Sequence, residues 1–499
     1  MSSYLPRRSF PAIALLASAL ALAGCASTHG LAPEGRITEA DTLHTSRSFG
    51  AFELSDAAFP KQDWWNALGD PQLDALIREA LQGNPSLAAA DARLRQAQAQ
   101  ANMANDTRKP ETSLSAQYTG VQLPETLVPP PMGGDLQAST VVMLNFKWTP
   151  DLWGGQRAKY EAAVGQARAA EVDAQAARLT LSANIARAYV SLSQAYAALD
   201  VANNEQKRSS HLSDLSGQRV KAGLDNQLQL RQAESAIASA KQQAQAAQQQ
   251  IDALRNAIAA LMGKGPDRGL DIAAPQLLAA PAPGVPNVLP SELLGHRADV
   301  VAARWRVEAA SRGIDASKAA FKPSVNLSAL VGLASSGLSD LFSNDALLGF
   351  GGPALSLPIF NGSRLRSNLE KSDADYDLAV ANYNQTLVTA LHEVTDALQA
   401  ARSLDAQIAS ATQARDAAQA ALKLADTRYR AGLGTQLDVL SAQRPLLQLE
   451  QQVAALRAQR LAATVDLDRA LGGGLTLASP ATASLSDTPN NNVFKAPTP

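Results

Sequence analysis

With 499 residues, a net charge of −2 and a pI near 6.3, the chain lacks the basic surplus that nucleic-acid binding needs. Hydrophobic residues make up 46 % but aromatics only 5 %; much of the apolar content is alanine, which suits long, closely packed helices better than a thick globular core. The only cysteine, Cys25, leaves no partner for a disulfide within the chain.

The N-terminus reads as an address. Arg7-Arg8, an apolar run from Ala12 to Ala23 and the small-residue site Leu22-Ala23-Gly24-Cys25 form a secretory signal, too short to span a membrane as a helix. Its end resembles a bacterial lipobox, which implies that the Cys25 thiol takes a lipid and becomes the first residue; Ala26 in the next position favours the outer membrane. After the signal no apolar run approaches the roughly 18–20 residues of a spanning helix, so any membrane crossing must use strands.

Residues 26–60 show no sustained period and read as an extended lead-in. Asp70-Pro71 starts a short helix through Leu73, Leu76, Ile77 and Leu81, and Asn84-Pro85 caps a second to about Asn105. At Pro110 the period changes to two. Leu114, Ala116, Tyr118 and Gly120 alternate with polar residues, and after a Pro-rich loop Val142, Leu144, Phe146 and Trp148 do the same. Strands of about ten residues are what a membrane β-barrel needs. From Gly155 to about Gly217 no proline interrupts strong helix formers, which predicts a helix roughly 95 Å long. Ala222-Gly223-Leu224 breaks it. A return helix then repeats Leu230, Ala233, Ile237, Ala240, Ala244, Ala247, Ile251, Leu254, Ile258 and Leu261 at coiled-coil spacing.

Past a Pro-rich linker the plan recurs. The spacing predicts a helix across Val300–Ala320, a strand with Val325, Leu327, Ala329 and Val331, and a returning strand with Leu355, Leu357 and Ile359. A second long helix follows on the seam Leu387, Leu391, Val394, Leu398, Ile408, Leu422 and Tyr429, interrupted by Asp405 and Arg415. Pro445, in the helix after it, should bend that helix. Lys109-Pro110, Ala92-Arg93-x-Arg95 and Arg219-x-x-Ala222-Gly223-Leu224 reappear in order as Lys322-Pro323, Ala303-Arg304-x-Arg306 and Arg428-x-x-Ala431-Gly432-Leu433. The offset of about 210 residues is far longer than a solenoid period, so one unit has been duplicated. The expected organisation is a signal peptide (1–24), a lead-in (25–60), a first repeat (61–263), a linker (264–290), a second repeat (291–473) and a disordered tail (474–499).

Four strands cannot close a barrel, and open edges cannot stand in lipid, so the chain must pool strands with copies of itself. Two copies give eight strands filled by side chains; three give twelve with a lumen. Enzyme readings fail on inventory: the five histidines are scattered, His392-Glu393 lacks a second His, Gly349-x-Gly351 is a poor phosphate loop, and no nucleophile elbow is present.

The residues also carry a resemblance. Trp64-Trp65, Asp70-Pro71, Asn84-Pro85, Asp151-Leu152-Trp153-Gly154, Arg297-Ala298-Asp299-Val300, Gly352-Pro353-Ala354-Leu355-Ser356-Leu357-Pro358 and Arg428-Tyr429-Arg430-Ala431-Gly432-Leu433 are together similar to the TolC-like outer-membrane efflux proteins, in their lipidated (NodT-type) branch. The resemblance spans about residues 60 to 473. It implies a mainly α chain that, as a homotrimer, forms a 12-stranded β-barrel in outer-membrane lipid joined to a long α-helical barrel. It also implies a periplasmic adaptor and an inner-membrane pump as partners, no nucleic acid, and no cofactor beyond the lipid on Cys25. Adaptor contact falls on Ala222, Gly223, Leu224 and Asp225, and on Ala431, Gly432, Leu433, Gly434 and Thr435. Constriction of the tip falls on Tyr429 and Asp438, with Arg428 or Arg430 replacing the basic residue that the family often has where Gly434 stands. Two rivals remain: a duct of this fold for type I protein secretion, and a structural coiled-coil lipoprotein that spaces envelope layers.

Overall fold

The computed structural model describes residues 27–39, 42–43, 54–55, 59–130, 133–277, 280, 285–286, 293–358 and 360–474. The signal peptide, Cys25, Ile359 and the tail from 475 lie outside the described residues. The two repeats share a helix–hairpin–helix–helix plan, to which the first adds a leading helix. In the first, α1 (Pro71–Gly83) and α2 (Pro85–Asp106) lead to β1 (Glu111–Gln122) and β2 (Leu136–Trp148), then to α3 (Gly155–Lys221) and α4 (Gln227–Leu261). In the second, α5 (Ala298–Ala319) leads to β3 (Ser324–Ser335) and β4 (Leu347–Ser356), then to α6 (Gly362–Arg430) and α7 (Gln436–Ala470). At 67 and 69 residues, α3 and α6 are each about 100 Å long.

Helix starts follow the capping chemistry of the sequence. Asp70 accepts from Gln72 N at 2.9 Å and Asn84 from Ser86 N at 2.7 Å, each with proline in the first turn. Asn84 also donates from Nδ2 to the Leu261 carbonyl at 2.5 Å, so α4 ends where α2 begins. In the second repeat Arg297, just before α5, donates to the Ala470 carbonyl at 3.1 Å, so α7 ends where α5 begins. Each repeat thus presents one uncut helix and one helix in two stacked pieces. The first joint meets a core in which Trp64, Trp65, Leu73, Leu76, Ile77, Tyr189, Ile258 and Met262 are buried, and the second packs Leu467, Ala470 and Leu471 on Leu391, Val394 and Leu398 of α6. Burial of the Tyr189 hydroxyl at the first joint, and its 2.7 Å hydrogen bond to Asp70, hold its proton on well above the usual tyrosine range. The predicted seam polarity is answered across helices: Asp405 accepts from the buried Arg460 of α7 at 2.8 Å, while Arg415 turns to Asp416. Helix α7 runs through Pro445 without ending.

Apart from a short parallel pairing of Leu54–Ser55 with Val285–Pro286, the four long strands form one antiparallel sheet in the order β1-β2-β3-β4. Its register aligns Leu114 with Leu144, Leu144 with Val331 and Val331 with Gly349, so the predicted apolar positions of the first three strands share one face, joined by Leu347 and Leu355 of β4, while Phe350 of β4 pairs with Leu330 on the other. Ser113, Asn145 and Leu330 share the other, and Ser115, Gln117 and Ser328 belong with them. Both outer edges, β1 and β4, lack a pairing strand among the described residues. One expectation shifts. The returning strand was placed over Leu355, Leu357 and Ile359, but β4 begins at Leu347 and stops at Ser356. Pro353 is tolerated inside β4 because that strand lies at the sheet edge, and pairing stops at Ser356, two residues before Pro358.

Among the described residues no helix is long and apolar enough to cross a membrane. Among the described residues the amphipathic sheet is the element suited to lipid.

Candidate functional site

The two helix reversals, at the far end of α3 and α6 from the sheet, carry the candidate residues. Their backbones are copies. Gly223 donates to the Val220 carbonyl and Leu224 to that of Arg219, at 3.0 and 2.9 Å; Gly432 donates to Tyr429 and Leu433 to Arg428, at 3.0 and 2.8 Å. This is a Schellman cap, which requires a left-handed residue; Gly223 and Gly432 supply φ of 71° and 75°. Each return helix starts with a reciprocal cap. Asn226 pairs with Gln229 before α4, and Thr435 with Asp438 before α7.

The cap pushes a leucine outward. Leu224 is 65 % exposed and Leu433 72 %. One turn on, Leu228 and Leu437 are 64 % and 63 % exposed, a pair that sequence reasoning did not place in the site although the duplication aligns them. Four exposed leucines at one end of a helical rod form an apolar contact surface, because single leucines are ordinary but a repeated cluster is not.

Behind the leucines lies a buried lock. Tyr429 is fully buried and donates its hydroxyl to Asp225 Oδ2 at 2.5 Å. Arg219 reaches the same oxygen from Nε at 3.0 Å, lies 4.7 Å over the Tyr429 ring and meets the Tyr429 carbonyl at 3.4 Å. Ser216 Oγ lies 3.4 Å from the hydroxyl. Burial first, and the bond to Asp225 second, raise the Tyr429 pKa, so the phenol stays a donor. With its ring buried against α3, Tyr429 ties the second hairpin to the first. Arg219, not Arg428, is the cation of this lock; Arg428 is exposed and donates to the Leu433 carbonyl at 3.3 Å, and Arg430 pairs with Asp426 at 2.9 Å.

Asp438 is exposed, and its carboxylate accepts from Thr435 N and Oγ1 at 2.7 and 2.9 Å. Those bonds, the backbone one first, hold its pKa below the usual carboxylate range. Above the lock the seam between α3 and α7 stays polar. Gln443 donates to Glu205 and to Ser209, and Arg208 forks onto Glu450 at 3.2 and 2.7 Å. Gln436, at the start of α7, is wholly buried, and neither polar atom of its side chain has a hydrogen-bond partner.

Known proteins share this plan. Residues 76–264 and 289–473 each match the family model of the outer membrane efflux protein. The chain is 40 % identical over 370 residues to the fusaric acid resistance protein FusA of Burkholderia cepacia, a match covering 73 % of this chain and 69 % of that one. It is 31 % identical to the pyoverdine export outer membrane protein OpmQ of Pseudomonas aeruginosa, over 93 % of this chain and 96 % of that one. Among solved structures it superposes on the outer membrane protein VceC of Vibrio cholerae with a TM-score of 0.77 and 38 % identity, over 83 % of this chain and 100 % of that one. Two matches to one model, one in each repeat, and full-length relatives with the same sheet-and-rod plan lead to one conclusion: the chain belongs to the outer membrane efflux protein family and serves as an efflux duct of the outer membrane.

Proposed function

We propose that three copies close into one channel that passively conducts drugs or other small toxic compounds out of the cell. The observation that carries this reading is the four-stranded sheet, apolar on one face and unpaired at both edges. In lipid each open edge would leave a row of N–H and C=O groups without partners. Since β1 and β4 run antiparallel, β4 of one copy can pair with β1 of the next, and three copies close twelve strands around a lumen. The rods fit the same count: α2, α3, α5 and α6 lie side by side above the joints, as do α4, α3, α7 and α6 below them. Three chains make a wall of twelve.

At the tip, the four leucines of each chain meet a periplasmic adaptor, and the adaptor couples the duct to an inner-membrane pump that selects the cargo. The lipid on Cys25 adds an anchor in the outer membrane, and no cofactor takes part. Crosslinking in mild detergent is expected to end at a trimer, and a host lacking the chain to become sensitive to the compounds its pump exports. A ladder that stops at the dimer would put the filled eight-stranded barrel in its place.

Three Asp438 carboxylates, one per copy, stand where the tip narrows and favour cations there. Because its pKa is depressed, the group stays charged into its ordinary titration range, so cation preference should persist as pH falls from neutral to about 4. Asp438→Asn keeps an acceptor for Thr435 and removes the charge. In planar bilayers it should weaken cation preference and blunt block by multivalent cations. Unchanged selectivity would reduce Asp438 to a helix cap.

A further inference from the structure

The lead-in is fastened to α6 by contacts that the export function does not use. Arg366, in the second turn of α6, donates from Nη1 to the carbonyls of Ser27 and His29 at 2.8 and 3.3 Å. Three turns on, the Asp377 carboxylate takes two successive N–H groups, Glu34 at 3.2 Å and Gly35 at 2.7 Å. Two turns beyond, Asn384 clasps the chain from both sides: Thr38 N–H donates to its Oδ1 at 2.8 Å, and its Nδ2 donates to the Arg36 carbonyl at 2.9 Å. Arg366, Asp377 and Asn384 share one face of the helix, being 11 and 7 residues apart, close to whole turns. We propose that this face is a docking site for extended backbone, which seats the chain's own residues 27–38 and so fixes the level at which the lipidated end meets the membrane.

Three features give the site its character. Every bond goes to main-chain atoms of the strap, so the site reads an extended backbone and not a set of side chains. The strap also keeps register with the helix. It turns at Thr28 to Leu31, closed by the Leu31 N–H on the Thr28 carbonyl at 3.2 Å with Gly30 at φ 81°, and from Glu34 to Thr38 its four steps span about 13 Å beside the roughly 10 Å that α6 rises from Asp377 to Asn384. Slipping the strap by one residue would turn each N–H away from its acceptor. Lastly, Gly35 leaves room for the close approach. A Cβ there would stand 2.9 Å from Asp377 Oδ1, 3.1 Å from Asp377 Cα and 3.2 Å from Val380 Cβ.

The opposite face of α6 is different in kind. Asp375 and Asn382 lie two residues before Asp377 and Asn384, about 200° round the helix. They line an open groove of about 890 Å³ with Arg306, Asp173 and Gln385. One side of α6 therefore binds the strap and the other borders the groove. A strap that leads to an anchor in lipid must lie on the outside of the wall, which sets the groove toward the lumen. Ser27 is two residues from Cys25 and beside the second turn of α6, close to where the sheet ends. Lipid on Cys25 is then carried to the leaflet that borders the sheet–helix junction.

This inference rests on the lipid anchor, and its test separates the two. Purified trimers would be treated with trypsin, and cleavage after Arg36 followed by mass spectrometry, in parallel with incorporation of radioactive palmitate by the wild type and by Cys25→Ser. The double variant Asp377→Ala/Asn384→Ala, and separately Gly35→Val, should speed cleavage after Arg36 by about tenfold or more, since cleavage tracks the population of the detached segment. In labelled wild-type protein the released fragment should carry the label. Unchanged cleavage in both variants, with trimers intact, would overturn the docking site. Failure of the wild type to take label would overturn the anchor and leave the protection assay to decide the docking site alone.

Discussion

Replacing Gly432 with proline is expected to abolish export while leaving trimers in the membrane. Two losses coincide at this position. Proline has no N–H to donate to the Tyr429 carbonyl, and its ring fixes φ near −65°, where the native turn holds 75°. The Schellman cap cannot form, so Leu433 and Leu437 are no longer presented at the end of the rod. Assembly should survive, because it depends on the sheet edges at the other end of α6. The measurement is resistance to an exported drug beside crosslinking of the same cells. Wild-type resistance in Gly432→Pro would remove the tip from the export path.

The second large effect is expected at the lock. Arg219→Ala leaves Asp225, whose side chain is 6 % exposed, without its cation. Removing one partner of a buried ion pair typically costs about 3–5 kcal/mol, because the remaining charge has lost its compensation. Tyr429→Phe removes a hydrogen bond to a charged group, typically about 1.5–3 kcal/mol. Both should loosen the second hairpin from the first and raise single-channel conductance in planar bilayers, Arg219→Ala more than Tyr429→Phe. The double variant Arg219→Ala/Asp225→Ala should be milder than Arg219→Ala alone, since no stranded charge remains. Conductance that stays at the wild-type level in all three would show that the lock fastens the hairpins without governing the aperture.

The helices and strands were legible in the sequence because each rests on a local period or a local cap. The 3-4 alanine and leucine spacing, the period of two after Pro110, and the Asp70, Asn84 and Gly432 boundaries need no distant contact. The lock was harder to see. Tyr429 and Asp225 are far apart in the chain, and nothing near either residue announces the other. A trace did exist in the duplication: Asp225 aligns with Gly434 and Arg219 with Arg428, so only the first hairpin holds both charges. Asp438 was read as a ring charge, yet Thr435-x-x-Asp438 is also the spacing of a reciprocal cap, and the structure shows the cap. The strap left no trace because its own side chains do not make the bonds that hold it.

The stacked joints have a mechanical side. Of the four rods each chain contributes above and below the waist, α3 and α6 pass through uncut, while the other two are split where α4 meets α2 and α7 meets α5. In an assembly of three copies, axial load applied at the tip would travel toward the sheet along six continuous struts. Bending and torsion would be relieved at a single belt, where the cut rods abut. A tube built this way is stiff along its length and compliant at one height, so twisting of the tip can be absorbed at the waist before it reaches the barrel.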